Sequence, residues 1–121
     1  MNLKESAMKF KQFEIWTADL NPQIGTEPGK IRPVLIIQTD LLNSAHPSTI
    51  ICPVTTNVIK NTEILRVNLK KGISNIQKSS DIMIDQIRAI DNKRLIKKIG
   101  DLPAELRSRI KENIKIVLDI E

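Results

Sequence analysis

The chain has 121 residues, 40% apolar and 27% charged, which suits a single domain able to bury a core without disulfides or metals. Nineteen Lys and Arg against 14 Asp and Glu give a formal charge of +5; the only aromatic residues are Phe10, Phe13 and Trp16. The core must therefore be aliphatic, with 21 isoleucines to supply it, and RNA recognition by stacking platforms, His/Cys zinc sites and disulfide frameworks are all excluded.

Met1 to Gln12 is polar and lysine-dotted, without the apolar core of a signal peptide, and residues 1–11 are expected to be a flexible lead-in. No apolar run approaches the ~18 residues of a membrane span, so a soluble cytoplasmic protein is expected. Phe13 to Leu20 alternates. Phe13 and Ile15 fall on a packed face, with Glu14 and Trp16 on a partly exposed one. Asn21 to Lys30, with two prolines and two glycines, reads as a loop.

Pro33 to Gln38 is a nearly continuous apolar run, a strand buried on both faces. Asp40 to Ser48 is a polar connection that holds His46, the single histidine, as an ordinary loop residue. Thr49 to Thr55 is a further strand, with Pro53 placing it at an edge or a bulge. Cys52 lies among Ile50, Ile51 and Val54 and reads as a small buried hydrophobe rather than a nucleophile.

Thr62 to Leu69 and Ser80 to Ile90 have strand character, with a loop over Lys70 to Lys78. Asp81 and Asp85 would share a face of the latter strand about 13 Å apart, too far for a retaining carboxylate pair. Asn92 to Ile99 reads as a short helix capped by Asp91. Asp101, Pro103 and Glu105 then signal the start of a helix of roughly 17 residues, with Asp101 as N-cap. Its stripe is Leu102, Leu106, Ile110, Ile114 and Leu118, joined by Val117. Strands first and a helix last predict a mainly β fold, a small antiparallel sheet or barrel closed by a C-terminal helix.

Charge is uneven. Residues 1–60 hold six basic and five acidic side chains, residues 61–121 hold 13 and nine, a surplus that permits polyanion binding. Arg32, where the glycine loop meets the apolar strand, is placed either for a surface ion pair or for presenting its fork to a phosphate. Thr55 and Thr56 close a strand with one hydroxyl on each face, as caps or as ligands.

These residues also carry a resemblance. Glu14-Ile15-Trp16, Asp19-Leu20-Asn21-Pro22, Gly25-Thr26-Glu27, Arg32-Pro33-Val34-Leu35-Ile36-Ile37, Pro53-Val54-Thr55 and Asp85-Gln86-Ile87-Arg88 occur in the order seen in the MazF/PemK toxin endoribonucleases. The similarity spans residues 12–118, and it departs at Phe13, where family members commonly have glycine.

The resemblance implies an SH3-like barrel with a C-terminal helix, a homodimer, and metal-independent, sequence-specific cleavage of single-stranded RNA with no cofactor. Arg32 and Thr55 match the catalytic pair, and Glu27 the acidic residue of the active-site loop, as general base or as loop-ordering group. Thr56, Gln86, Gly25 and Thr26 are the implied RNA contacts. The loops Asn21–Ile31 and Leu69–Ser79 are the expected determinants of sequence preference. Implied partners are mRNA, an antitoxin with an acidic disordered segment, and operator DNA through the antitoxin complex. Two rivals share the fold: a CcdB-like gyrase-poisoning toxin and a non-enzymatic DNA-binding module. The first usually ends in an aromatic motif, whereas this chain ends Leu118-Asp119-Ile120-Glu121.

Overall fold

A computed structural model describes residues 9–43, 45–62 and 64–121. Seven strands are formed: β1 (Glu14–Asp19), β2 (Ile31–Ile36), β3 (Ser48–Thr55), β4 (Arg66–Leu69), β5 (Ser80–Met83), β6 (Arg88–Asp91) and β7 (Leu95–Asp101). One α-helix follows, α1 (Ala104–Leu118). The strands run β4-β5-β3-β2-β1-β7, and β6 pairs with β3 off this path. Every pairing is antiparallel. The sheet is not closed. It is barrel-like because β7, β1, β2, β3 and β6 each send side chains into one shared core.

That core contains Trp16, Ala18, Val34, Ile36, Ile51, Ile90 and Leu95, joined by Phe10 and Leu20. Alternate residues of the same strands, Ile15, Leu35, Cys52 and Val54, point the opposite way. They meet Val67, Leu69 and Ile82 of the β4–β5 hairpin and Ile110 of α1. β1 is therefore buried on both faces, against the expectation of a partly exposed one. Glu14 survives burial because Lys11 N–H and Trp16 Nε1 donate to its Oε1 (2.9 and 3.0 Å), while Lys98 reaches Oε2 at 3.1 Å. Phe10 packs edge-on to Trp16 with ring centroids 6.2 Å apart, so this part of the expected flexible lead-in is held; residues 1–8 lie outside the described residues.

Several expectations are corrected. The strand expected over Ser80 to Ile90 breaks at a 3-10 turn, Ile84–Gln86. Because β3 pairs with β6 over Ser48–Ile51 and with β5 over Val54–Thr55, Cys52 and Pro53 fall between the two ladders. Pro53 thus sits at a gap on that side, where its missing N–H costs nothing. Asp81 is consequently not aligned with Asp85, which lies in the turn.

The helix expected over Asn92 to Ile99 is a 3-10 turn, Asn92–Arg94, followed by β7. Asp91 does cap the turn, accepting from Lys93 N–H at 2.8 Å. The seven residues of β7 extend because β1 offers an open edge, and pairing there outweighs weak helix propensity. Asp101 therefore ends β7 instead of capping α1, whose N-cap is Pro103. The strand expected from Thr62 begins at Arg66.

In α1, Leu106, Ile110, Ile114 and Val117 pack inward, but Leu118 is 48% exposed. A four-residue step overshoots a turn by about 40°, so the stripe drifts and Val117 replaces Leu118. No helix among the described residues is long and apolar enough to cross a membrane.

Phe13 adopts φ 68°, the left-handed region that favours glycine. Its N–H donates to Ile36 O (2.7 Å), its carbonyl accepts from Leu102 N–H (2.8 Å), and its ring is buried beneath Arg107 and Lys111. Such a backbone costs roughly 1–2 kcal/mol, less than the ring's burial returns. Phe13→Ala is expected to destabilise by about 3–5 kcal/mol in urea unfolding. Phe13→Gly loses the same ring but relieves the strain, and is expected to be about 1 kcal/mol more stable than the alanine variant.

Candidate active site

The β1–β2 loop is pinned at its base and turned at its tip. Leu20 N–H donates to Lys30 O (2.9 Å), Lys30 N–H to Asn21 Oδ1 (2.8 Å), and Arg94 Nη1 to Asp19 O (2.9 Å). The Asn21–Pro22 peptide is cis. At the tip Glu27 N–H closes onto Ile24 O at 3.0 Å, and Gly25 turns through φ 58°. Gly25 and Thr26 are exposed there, and Glu27 is half-buried. The returning arm passes so close to the outgoing one that a Cβ on Gly29 would stand 2.6 Å from Gln23 Cβ.

This contact places a carbonyl. Gly29 O accepts from Arg32 Nε at 2.9 Å, which fixes the guanidinium while leaving its two terminal amino groups uncommitted. Among the described residues no carboxylate lies within ion-pair distance of Arg32. Burial alone pulls its pKa below the usual arginine value, although it stays protonated at neutral pH. A half-buried cation without a counter-charge among the described residues is suited to receive an anion.

Thr55 ends β3. The β2–β3 register pairs Val34 with Pro53, and two further steps along both strands lead to Arg32 and Thr55. The two side chains thus share one end and one face of the sheet. Thr55 Oγ1 accepts from Asn57 N–H at 3.1 Å, the expected strand-end cap, and its own proton remains free to donate. Thr56 points to the other face.

Gln86 is half-buried in the turn that spans the gap between the β3–β5 and β3–β6 ladders. Two residues on, Arg88 is paired with Ile51 and so faces the same way as Thr55. Its Nη1 is buried and without a hydrogen-bond partner among the described residues. The signal for it was present in the Asp85-Gln86-Ile87-Arg88 motif.

Other reactive groups are occupied elsewhere. Asp81 is buried and holds Arg66 (3.3 Å), Ile59 N–H (3.0 Å) and Asn68 (3.1 Å), tying the β3–β4 connection to the hairpin. His46 Nδ1 accepts from Ser48 N–H at 3.3 Å in an exposed turn. Cys52 is fully buried. Desolvation, aided by the Asp85 charge, pushes its thiol up to about 12. At pH 8 it is expected to ignore a disulfide reagent such as Ellman's in the native state and to react stoichiometrically once unfolded; absorbance at the thiolate product's band checks this.

Residues 11–118 match the model of the family described as PemK-like, MazF-like toxin of type II toxin-antitoxin system. Endoribonuclease EndoA of Bacillus subtilis is 34% identical over 111 residues, 92% of this chain and 96% of that protein. Among solved structures, MazF from Deinococcus radiodurans superposes with a TM-score of 0.80 at 20% identity, covering 93% and 99% of the two chains. A mycobacterial endoribonuclease in complex with its cognate antitoxin does so at 0.72 and 13%, covering 93% and 96%. With the matched region spanning the sheet, the Arg32 loop and α1, the chain belongs to the PemK-like, MazF-like toxin family of type II toxin–antitoxin systems.

Proposed function

We propose that this toxin is a sequence-specific, metal-independent endoribonuclease that cleaves single-stranded RNA, inhibiting translation and growth. The observation that carries the reading is Arg32, a guanidinium held through Nε by Gly29 O with no carboxylate among the described residues to neutralise it. RNA supplies the nucleophile itself. The 2′-oxygen attacks the adjacent phosphorus, the new P–O2′ bond forms as the P–O5′ bond breaks, and a 2′,3′-cyclic phosphate and a 5′-hydroxyl result. The 2′-proton leaves to a base and the 5′-oxygen gains a proton.

Arg32 is suited to the charge that builds on the non-bridging oxygens, through two parallel N–H donors. The free Thr55 proton supplies a third donor at the same end of the sheet. Glu27 is the carboxylate of the loop and the candidate base. Gly25, Thr26, Thr56 and Gln86 are proposed to hold the flanking nucleotides. The active form is proposed to be a homodimer. Its cognate antitoxin is proposed to lay an acidic disordered segment over the cationic surface, and operator DNA is reached through that complex.

Incubation with a long single-stranded RNA and mapping of 5′-hydroxyl ends is expected to show cuts at one short recurring sequence, unaffected by EDTA. Inhibition by EDTA overturns the mechanism. Arg32→Ala is expected to lower the rate by ~10²–10³ while the protein remains folded by circular dichroism.

Gly29→Ala tests the support rather than the donor. The added Cβ must displace Gln23 or the loop, moving the carbonyl that aims Arg32. A loss of ~10²-fold in kcat is expected, since misplacement by about 1 Å suffices. Glu27→Gln is expected to lower kcat by ~10²-fold if the carboxylate is the base; an unchanged kcat assigns it to ordering the loop.

A further inference from the structure

On the face of the sheet opposite Arg32 and Thr55 lies a groove of about 530 Å³, between the ends of β1–β3, β7 and the loop before β5. Pro33, Val54, Ile76 and Ile99 form its apolar lining. Pro33 and Val54 are the immediate chain neighbours of Arg32 and Thr55, so the groove and the proposed scissile site are two sides of one sheet end. Exposed Lys78 and Lys97 stand at its edge. Lys98 also lines it, but its ammonium is committed to Glu14 and Asp101, each at 3.1 Å. Of the polar groups, Thr17 donates to Lys97 O and Ser80 to Lys78 O. Thr56 and Gln77 make no side-chain hydrogen bond among the described residues.

An apolar lining that accepts a base, two uncommitted cations for phosphates, and a free amide and hydroxyl for base edges form a nucleotide-sized subsite. We propose that this groove binds RNA nucleotides flanking the cleaved phosphate, the strand draping over the sheet end between Thr55 and Thr56, with Lys78 and Lys97 as phosphate ligands. This rests on the endoribonuclease reading and extends it to a second surface. Lacking rings, the subsite works through charge and amide edges, so its contribution is strongly salt-dependent.

The test compares wild type with the Lys78→Glu/Lys97→Glu variant on oligonucleotides bearing the mapped cut site. One is minimal; others are extended on the 5′ or 3′ side. In wild type, extension on one side is expected to raise kcat/KM at least tenfold, and in the variant the long-to-short ratio is expected to fall toward one. A second measurement follows binding of the long oligonucleotide carrying 2′-O-methyl groups, which removes the nucleophile. There the slope of log affinity against log salt is expected to flatten by about 1.4, at roughly 0.7 per single-strand phosphate.

No extension gain in wild type, or a gain and salt slope retained by the variant, overturns the groove while leaving the endoribonuclease intact. A variant that keeps both but loses affinity for a polyglutamate peptide also overturns it, assigning the surface to an acidic protein segment. Failure of wild type to cut any RNA overturns the proposed function instead, and the binding measurement still judges the groove.

Discussion

Three adjacent strands, β1, β2 and β3, are apolar on both faces and hydrogen-bonded along both edges, and the rest of the molecule is arranged around that slab. Trp16, Val34 and Ile51 look into one core while Ile15, Leu35 and Cys52 look into the other. Neither face can be left open to water, so α1 and the β4–β5 hairpin cover one, and β6 and β7 curl the sheet around the other. The slab's rigidity reaches the site through Arg32 and Thr55, which stand where β2 and β3 emerge from it. Loops of varied sequence can be attached to that end without altering the positions of these two side chains.

Charge is distributed by the same logic. Cations that serve the fold are matched: Arg66 has Asp81, Lys98 has Glu14 and Asp101 and its pKa is raised by them, Glu14 first. Two others are not, among the described residues. Arg32 meets a neutral carbonyl, and Arg88 keeps a buried nitrogen without a partner. Desolvating a cation without neutralising it is unfavourable in the free protein, and an incoming phosphate or carboxylate removes that penalty. Under the proposed function, RNA and an acidic antitoxin segment would compete for that unmet charge.

Much of this was legible in the residues. Leu106, Ile110 and Ile114 identify α1 because helical periodicity is a local property, and the Val34–Ile37 run announces a doubly buried strand for a similar reason. Position alone left Arg32 between a surface ion pair and a phosphate ligand, and Thr55 between a cap and a ligand; the family resemblance is what singled them out. Leu95 to Ile99 could not be read correctly, since a short mixed run becomes a strand only when a distant edge, that of β1, is available to pair with it. The break at Ile84–Gln86 was hidden likewise: it exists because β3 exchanges partners there, and no neighbour within Ser80–Ile90 signals the exchange. Leu118 failed through a small angular error accumulated over turns.

Composition by itself determined an aliphatic core, an absence of stacking platforms and a cationic excess, because these depend only on which side chains are present. It also set the chemistry open to a protein with one histidine and one cysteine. Which cations remain unpaired was decided by tertiary structure alone. Nothing in the local sequence tells that Lys78 and Lys97 lack a carboxylate partner among the described residues while Arg66 and Lys98 have one. The difference is whether folding brings a carboxylate within reach, and that depends on strand register between segments dozens of residues apart.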